Sequence, residues 1–154
     1  MIHIVAALTK DRVIGRGNNM PWRIQEEKDL FKQLTLNHPV IMGERTFASL
    51  PKPLPKRINI VISPTREPEP GIVITHSLSD ALQAAQNIDE EIFVIGGAEV
   101  YAQSLELADR LHLSWIKKPY EGDVYFPAFD EARWTVIEEK PFAEFTYKQY
   151  KKKR

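Results

Sequence analysis

Short runs of Ile and Val recur along the chain, and they are continuous where a half-exposed strand would alternate: IHIVAAL (2 to 8), PVIMG (39 to 43), INIVIS (58 to 63), GIVIT (71 to 75), EIFVIGG (91 to 97) and RLHLSWI (110 to 116). A strand that is apolar on both faces must be covered on both, as in a parallel sheet with helices on either side. Helical patterns separate the runs: the segment after Trp22, a short one in TFASL, SLSDALQAAQ (77 to 86), and about Ala98 to Leu107. The expected class is therefore α/β. Near the end, RWTVIEEK and AEFTYKQY alternate and are joined by a short link containing Pro141, which predicts an antiparallel hairpin at one edge. The 154 residues carry no internal repeat and no dividing linker, so one domain over 1–154 is expected, with 151–154 as a basic tail.

Charge and composition narrow the function. The 21 basic and 21 acidic side chains cancel, which leaves no global field for nucleic acid or a membrane surface and favours a small partner. Cysteine is absent, which excludes disulfides and thiol nucleophiles and fits a cytoplasmic location. His3, His38, His76 and His112 are scattered without metal-ligand spacing, so no metal site is expected. No apolar run reaches the roughly 18 residues of a membrane span, and MIHIVAALTK has the wrong order of charge and apolarity for a signal peptide. The KQYKKKR tail reads as a solvated end, with nucleic-acid binding as its alternative.

One carboxylate stands out. Wound as a helix, the stretch after Trp22 puts Ile24, Glu27, Leu30, Phe31 and Leu34 on one face, and Glu27 is the only charge on that stripe. A carboxyl desolvated there has a raised pKa, and it can grip an amidine-like ring through two hydrogen bonds or assist proton delivery. The alternative is a helix-start acid favoured by the dipole and reached by water.

Other segments carry weaker signals. VIGGAEVY is a buried strand, two glycines and a helix start, where backbone can approach an anion closely; a tight turn is the competing reading. MGERTF repeats this geometry, with Gly43 followed by Arg45 and Thr46, so the pair of seats suits an extended dinucleotide. LPKPLPKR presents Lys52 and Arg57 on a proline-stiffened segment, and the Arg57 fork suits a carboxylate unless the segment is only a rigid loop. YEGDVYFP has a Gly-Asp turn that needs no function beyond connecting strands.

Together, IVAALTKDRVIGRGNNMPW, VIMGERTF, LPKRINIVIS, VIGGAEVY and EGDVYFP, in this order and nearly end to end, closely resemble bacterial chromosomal-type dihydrofolate reductases. The resemblance implies an eight-stranded mixed, mostly parallel sheet flanked by four helices. It also implies a monomeric oxidoreductase of tetrahydrofolate biosynthesis and one-carbon metabolism, a target of antifolate-like molecules, with NADPH as hydride donor to dihydrofolate. It makes Glu27 the pterin-binding acid, with Trp22 holding a water beside it and Ser114 hydrogen-bonding its carboxylate. The pocket implied is Val5, Ala6, Ala7, Lys28, Phe31, Leu50, Lys52, Leu54, Ile95 and Tyr101, with Arg57 on the substrate's glutamate-tail carboxylate. The implied cofactor residues are Ala7, Ile14, Gly15, Asn18, Met20, Gly43, Arg45, Thr46, Ser63, Pro64, Thr65, His76, Ile95 and the run Gly96, Gly97, Ala98, Glu99, Val100, Tyr101. A cis Gly96-Gly97 peptide and a mobile loop over Ile14 to Met20, supported by Asp123, are implied as well, with product release as a plausible slow step.

Some positions depart from the commonest pattern of that family. Glu27 replaces a more usual Asp. Glu44 stands where an arginine often meets the adenosine 2′-phosphate, leaving Arg45, Thr65, Arg66 and His76 to restore that contact. Lys28 and Lys52 make the rim more cationic, which predicts tighter use of polyglutamylated folate. Two rival readings compete with this resemblance. A same-fold reductase acting on a pyrimidine of riboflavin synthesis would lack the apolar-face acid followed by phenylalanine and the LPKR segment. A non-catalytic nucleotide- or nucleic-acid-binding module would depend on the basic tail.

Overall fold

The structure is a computed structural model and describes residues 1–17 and 19–153. Asn18, expected among the cofactor contacts, and Arg154 of the tail lie outside the described residues.

The chain order is β1 (Ile2–Thr9), β2 (Val13–Gly15), α1 (Gln25–Thr35), β3 (Pro39–Gly43), α2 (Glu44–Ala48), β4 (Ile58–Ile62), β5 (Ile72–Thr75), α3 (Leu78–Gln86), β6 (Ile92–Gly96), α4 (Ala98–Ser104), β7 (Arg110–Ile116), β8 (Val124–Tyr125), a 3-10 turn (Glu131–Arg133), β9 (Trp134–Pro141) and β10 (Phe145–Lys152). They form one α/β domain around an eight-stranded sheet of order β5-β4-β3-β6-β1-β7-β10-β9. β1 lies between β6 and β7 and is parallel to both. β3 pairs in parallel with β4 and β6, and β4 with β5, whereas β10 is antiparallel to β7 and β9. The mixed, mostly parallel sheet and the C-terminal hairpin expected from the sequence are both present.

Two helices cover each face. On one, Leu78, Ala81, Leu82 and Ala85 of α3 and Val100 and Tyr101 of α4 pack on Ile4, Ala6 and Leu8 of β1. On the other, Phe31 and Leu34 of α1 and Phe47 of α2 pack on Val5, Val40, Met42 and Ile95. β1 is buried along nearly its whole length because it contributes to both layers, which is why its sequence is a run and not an alternation.

Three local expectations shift. α4 stops at Ser104 instead of Leu107, because Leu107 N donates to Ser104 O at 3.0 Å and turns the chain. Pro141 closes β9 opposite Thr146 instead of lying in the link; β9 is the outermost strand, where proline removes no ladder donor that a neighbour needs. Val13–Gly15 and Val124–Tyr125 form a small two-stranded sheet that the apolar pattern did not announce.

Candidate active site

The residues singled out in the sequence gather on the sheet face beneath α1, where Val5 and Ala7 of β1, Ile95 of β6 and Ser114 of β7 are all buried. Ala7 and Ser114 are register partners across the β1/β7 ladder. Over them, α1 turns Glu27 inward, leaving it 8% exposed while its neighbours Glu26 and Lys28 are exposed. Among the described residues the Glu27 carboxylate has no side-chain hydrogen bond or ion pair, and it is not bonded to Ser114. Burial pushes its pKa from 4.5 up to about 7, against a weaker downward pull from the Lys28 ammonium. Such a group changes charge near neutral pH, as binding a protonatable heterocycle requires. Trp22 is buried beside the mouth with its ring 5.5 Å from that of Tyr120. Its Nε1 is buried with no hydrogen-bond partner among the described residues, so a donor is available at the pocket wall.

Arg57 lies further along the groove. Its Nε donates to Pro55 O at 3.0 Å and its Nη1 to Thr35 Oγ1 at 3.1 Å, so the fork is tied to both the proline segment and the end of α1. Beside it Asn37, Lys56 and Ile58 border an open cleft. The segment itself is held by a residue the sequence reading passed over. Buried Asn59 accepts from Leu54 N and donates to Leu54 O, both at 2.9 Å, and donates to Arg57 O at 3.2 Å. Its signal in the sequence was one polar residue inside INIVIS.

At the other end the Gly96-Gly97 peptide is cis, as the resemblance implied. Gly96 has φ +131, and a Cβ there would stand 3.3 Å from the Tyr101 hydroxyl and 3.4 Å from Thr46 Oγ1; one at Gly97 would stand 3.3 Å from the same oxygen. The two glycines and Thr46 thus form a cradle that any side chain would fill, facing Gly43 and the start of α2. Tyr101 is locked behind it, its hydroxyl 2.8 Å from the carbonyls of Val5 and Ile95. This geometry suits the phosphate backbone of a dinucleotide. One neighbour does not add to the fit. Ser63 Oγ donates to Glu44 Oε2 at 2.8 Å and accepts from Thr65 N and Arg66 N, so its hydroxyl is fully engaged. Arg66 stacks over the Phe47 ring at 4.8 Å and leans on Glu69 and, at 3.9 Å, on Glu44. Arg45 and Thr46 project at the helix start, Pro64 and Thr65 follow Ser63, and His76 is exposed past β5.

Gly15 and Gly17, which follow Ile14, are braced by Asp123. Gly17 N donates to Asp123 Oδ1 at 2.9 Å, and Asp123 N donates to Gly15 O at 3.1 Å. Ile14 packs toward the core while Met20 is 48% exposed. No group of metal-ligating side chains occurs among the described residues. Among the described residues no helix is long and apolar enough to cross a membrane.

The chain is similar to known proteins over nearly its whole length. The family model described as dihydrofolate reductase matches residues 1–153. The dihydrofolate reductase of Bacillus subtilis (strain 168) is 37% identical over 161 residues, covering 99% of this chain and 95% of that protein. That of Buchnera aphidicola from Acyrthosiphon pisum is 43% identical over 129 residues, covering 83% and 80%. Among solved structures, dihydrofolate reductase from Enterococcus faecalis complexed with NADP(H) and RAB-propyl superposes with a TM-score of 0.93 at 26% identity, covering 100% of this chain and 97% of that one. With a family model spanning nearly every residue and relatives matched over most of their length, the chain belongs to the dihydrofolate reductase family.

Proposed function

We propose that this chain is a monomeric, cytoplasmic dihydrofolate reductase that converts 7,8-dihydrofolate to tetrahydrofolate for one-carbon metabolism with NADPH, independently of nucleic acid and membrane. The observation that carries the reading is the lone buried carboxylate of Glu27 on the pocket face of α1, poised near neutrality. The balanced charge and absent cysteines of the chain fit the remaining statements.

In this reading Glu27 hydrogen-bonds the 2-amino group and N3 of the pterin, orients the ring, and favours a proton at N5. Trp22 Nε1 supplies the donor that holds a water beside it. Val5, Phe31, Leu50, Leu54 and Ile95 enclose the ring and exclude bulk water, which strengthens each polar contact inside, while Ala6 and Tyr101, whose side chains pack on the α3/α4 face, back the floor from behind. Ser114, which lies across the ladder from Ala7, closes the floor near the Glu27 carboxylate. Arg57, fixed by Pro55 and Thr35, takes the carboxylate of the glutamate tail through its remaining N–H groups. Gly96, Gly97 and Thr46 hold the dinucleotide, with Gly43, Arg45, Ala98, Glu99 and Val100 around them. NADPH bound there supplies the hydride for C6. Ile14, Gly15 and Met20 cover the nicotinamide end, with Asp123 keeping that segment in place.

The test is the loss of nicotinamide absorbance when purified protein meets dihydrofolate with NADPH or NADH. Turnover with NADPH supports the reading; consumption of neither cofactor overturns it.

A further inference from the structure

A row of buried polar rings crosses the sheet next to the pocket floor, on the face that carries Val5 and Ser114. His3 Nε2 lies 2.7 Å from Glu91 Oε2, His3 Nδ1 lies 2.9 Å from His112 Nε2, and His112 Nδ1 lies 2.7 Å from the Tyr147 hydroxyl. The Tyr147 oxygen is in turn 3.5 Å from Gln149 Oε1. His3, His112 and Tyr147 are each less than 9% exposed, and they sit on β1, β7 and β10. His112 is the register partner of Val5, and Tyr147 that of Ser114.

Donor and acceptor chemistry leaves one arrangement for the neutral row. An ionised carboxylate only accepts, so His3 carries its proton on Nε2; His3 Nδ1 then accepts from His112 Nε2–H, and His112 Nδ1 accepts from the Tyr147 hydroxyl. Adding one proton permits two satisfied arrangements, with the charge on His112 or on His3, and only the second reverses the whole row; burial beside Arg110 disfavours the first. In the second, the proton of His112 Nε2 passes to His3 Nδ1, the Tyr147 proton passes to His112 Nδ1, and the Tyr147 oxygen takes a proton from solvent and directs it at Gln149 Oε1. His3 becomes an imidazolium against the Glu91 carboxylate, and every polar atom is still paired. A second proton would set two N–H groups against each other across 2.9 Å.

We propose that the His3–His112–Tyr147 row is a one-proton switch built into the sheet beside the pocket, which on mild acidification takes up one proton per chain and reverses the direction of its hydrogen bonds.

The surroundings bias where the charge rests. Burial lowers the His3 pKa below its usual value and the Met1 amino group and Arg110 of β7 add to this, while the Glu91 carboxylate pulls the other way and makes His3 the ring where the charge is compensated. Burial, His3 and Arg110 hold His112 far lower, at about 3. Glu138 of β9 acts on Tyr147. From β6, Phe93 stacks on His3 at 4.5 Å, and beyond it His38 is paired with Asp89 at 2.7 Å. From α1, Leu30 and Leu34 pack against the apolar cluster that includes Tyr147, and Glu27 is the acid that helix turns to the same face.

The experiment is ring-nitrogen NMR of the histidines in the intact protein between pH 8 and pH 5. Both rings are expected as Nε2–H tautomers at pH 8. On acidification His3 is expected to become doubly protonated while His112 changes to the Nδ1–H tautomer at the same midpoint without gaining charge. Glu91→Gln, at an exposed position that keeps an acceptor oxygen, is expected to weaken the uptake about threefold without changing the pH 8 tautomers. Independent titration of the two rings, charging of His112, or an Nδ1–H tautomer on either ring at pH 8 would overturn the proposal.

Discussion

The Ser63 hydroxyl donates to Glu44 Oε2 at 2.8 Å, and this bond joins two residues at the cofactor end of the groove. It turns the hydroxyl hydrogen of Ser63 toward a carboxylate, and under the proposed function that carboxylate stands where the 2′-phosphate is to be accommodated. Glu44→Arg is therefore expected to tighten NADPH by roughly tenfold or more, about 1.4 kcal/mol, while leaving NADH nearly unchanged. Fluorescence titration of each cofactor checks this, and equal gains for the two would remove Glu44 from cofactor choice.

Replacing Glu27 by Gln should separate activity from stability. Loss of the acid is expected to lower kcat/KM on the order of 100-fold at pH 7, with the deficit shrinking at low pH where dihydrofolate is protonated without help. Stability moves the other way. The folded-state pKa is raised from 4.5 to about 7, so the neutral form folds without penalty below 4.5, and the carboxylate costs stability increasingly as pH rises through 7. The variant should be more stable by about 2 to 3 kcal/mol at pH 8 and no more stable at pH 4, as measured by denaturant unfolding at both values.

Asn59 acts on the substrate through the segment it holds. Asn59→Ala removes its bonds to Leu54 and Arg57 and leaves buried backbone groups unpaired, so a loss of about 2 kcal/mol is expected. Because Arg57 is displaced while Glu27 is untouched, KM for dihydrofolate should rise severalfold with kcat largely kept. A fall in kcat at constant KM would contradict that division.

Asp123→Ala removes the acceptor for Gly17 N. A hydrogen bond to a carboxylate is worth about 1.5 kcal/mol, so the braced conformation of this segment should lose roughly tenfold in population. Limited proteolysis within 16–20 should quicken and hydride transfer in a single turnover should slow, while unfolding midpoints change little.

Lys28 and Lys52 are exposed at the rim, and Lys56 borders the cleft beside Arg57. Polyglutamylated dihydrofolate should be used with several-fold higher kcat/KM than the monoglutamate at low salt, with the advantage fading near 0.5 M salt as screening shortens. Lys28→Ala with Lys52→Ala should reduce it. Equal efficiency on both substrates at low salt would sink the idea.

The α1 stripe was legible because the helical period turns spacing in the chain into a face, and Glu27 interrupted that face as a charge. That β1, β3, β4 and β6 lie in a sheet covered on both faces was legible from their continuous apolar runs, since only such strands largely dispense with polar residues, but their order was not. Asn59 and the Ser63 bond were not, because a satisfied buried polar side chain is recognised by its partners and not by its own spacing. Nor was the His3–His112 contact, whose members are 109 residues apart and each look like ordinary strand residues. The β2/β8 ladder escaped because two or three residues carry no measurable alternation. What joined the groove into a reductase pocket was the set of motifs in order, since each one alone had an ordinary reading.

The place of β1 between β6 and β7 also dictates when the molecule can exist. The strand synthesised first finds its two neighbours only after residues 92–96 and 110–116 have been made, so its sides wait unpaired through most of translation. A nascent chain halted before Arg110 would present an apolar strand edge to its surroundings, which makes the incomplete chain a natural client for chaperones and a pause ahead of residues 110–116 the most hazardous.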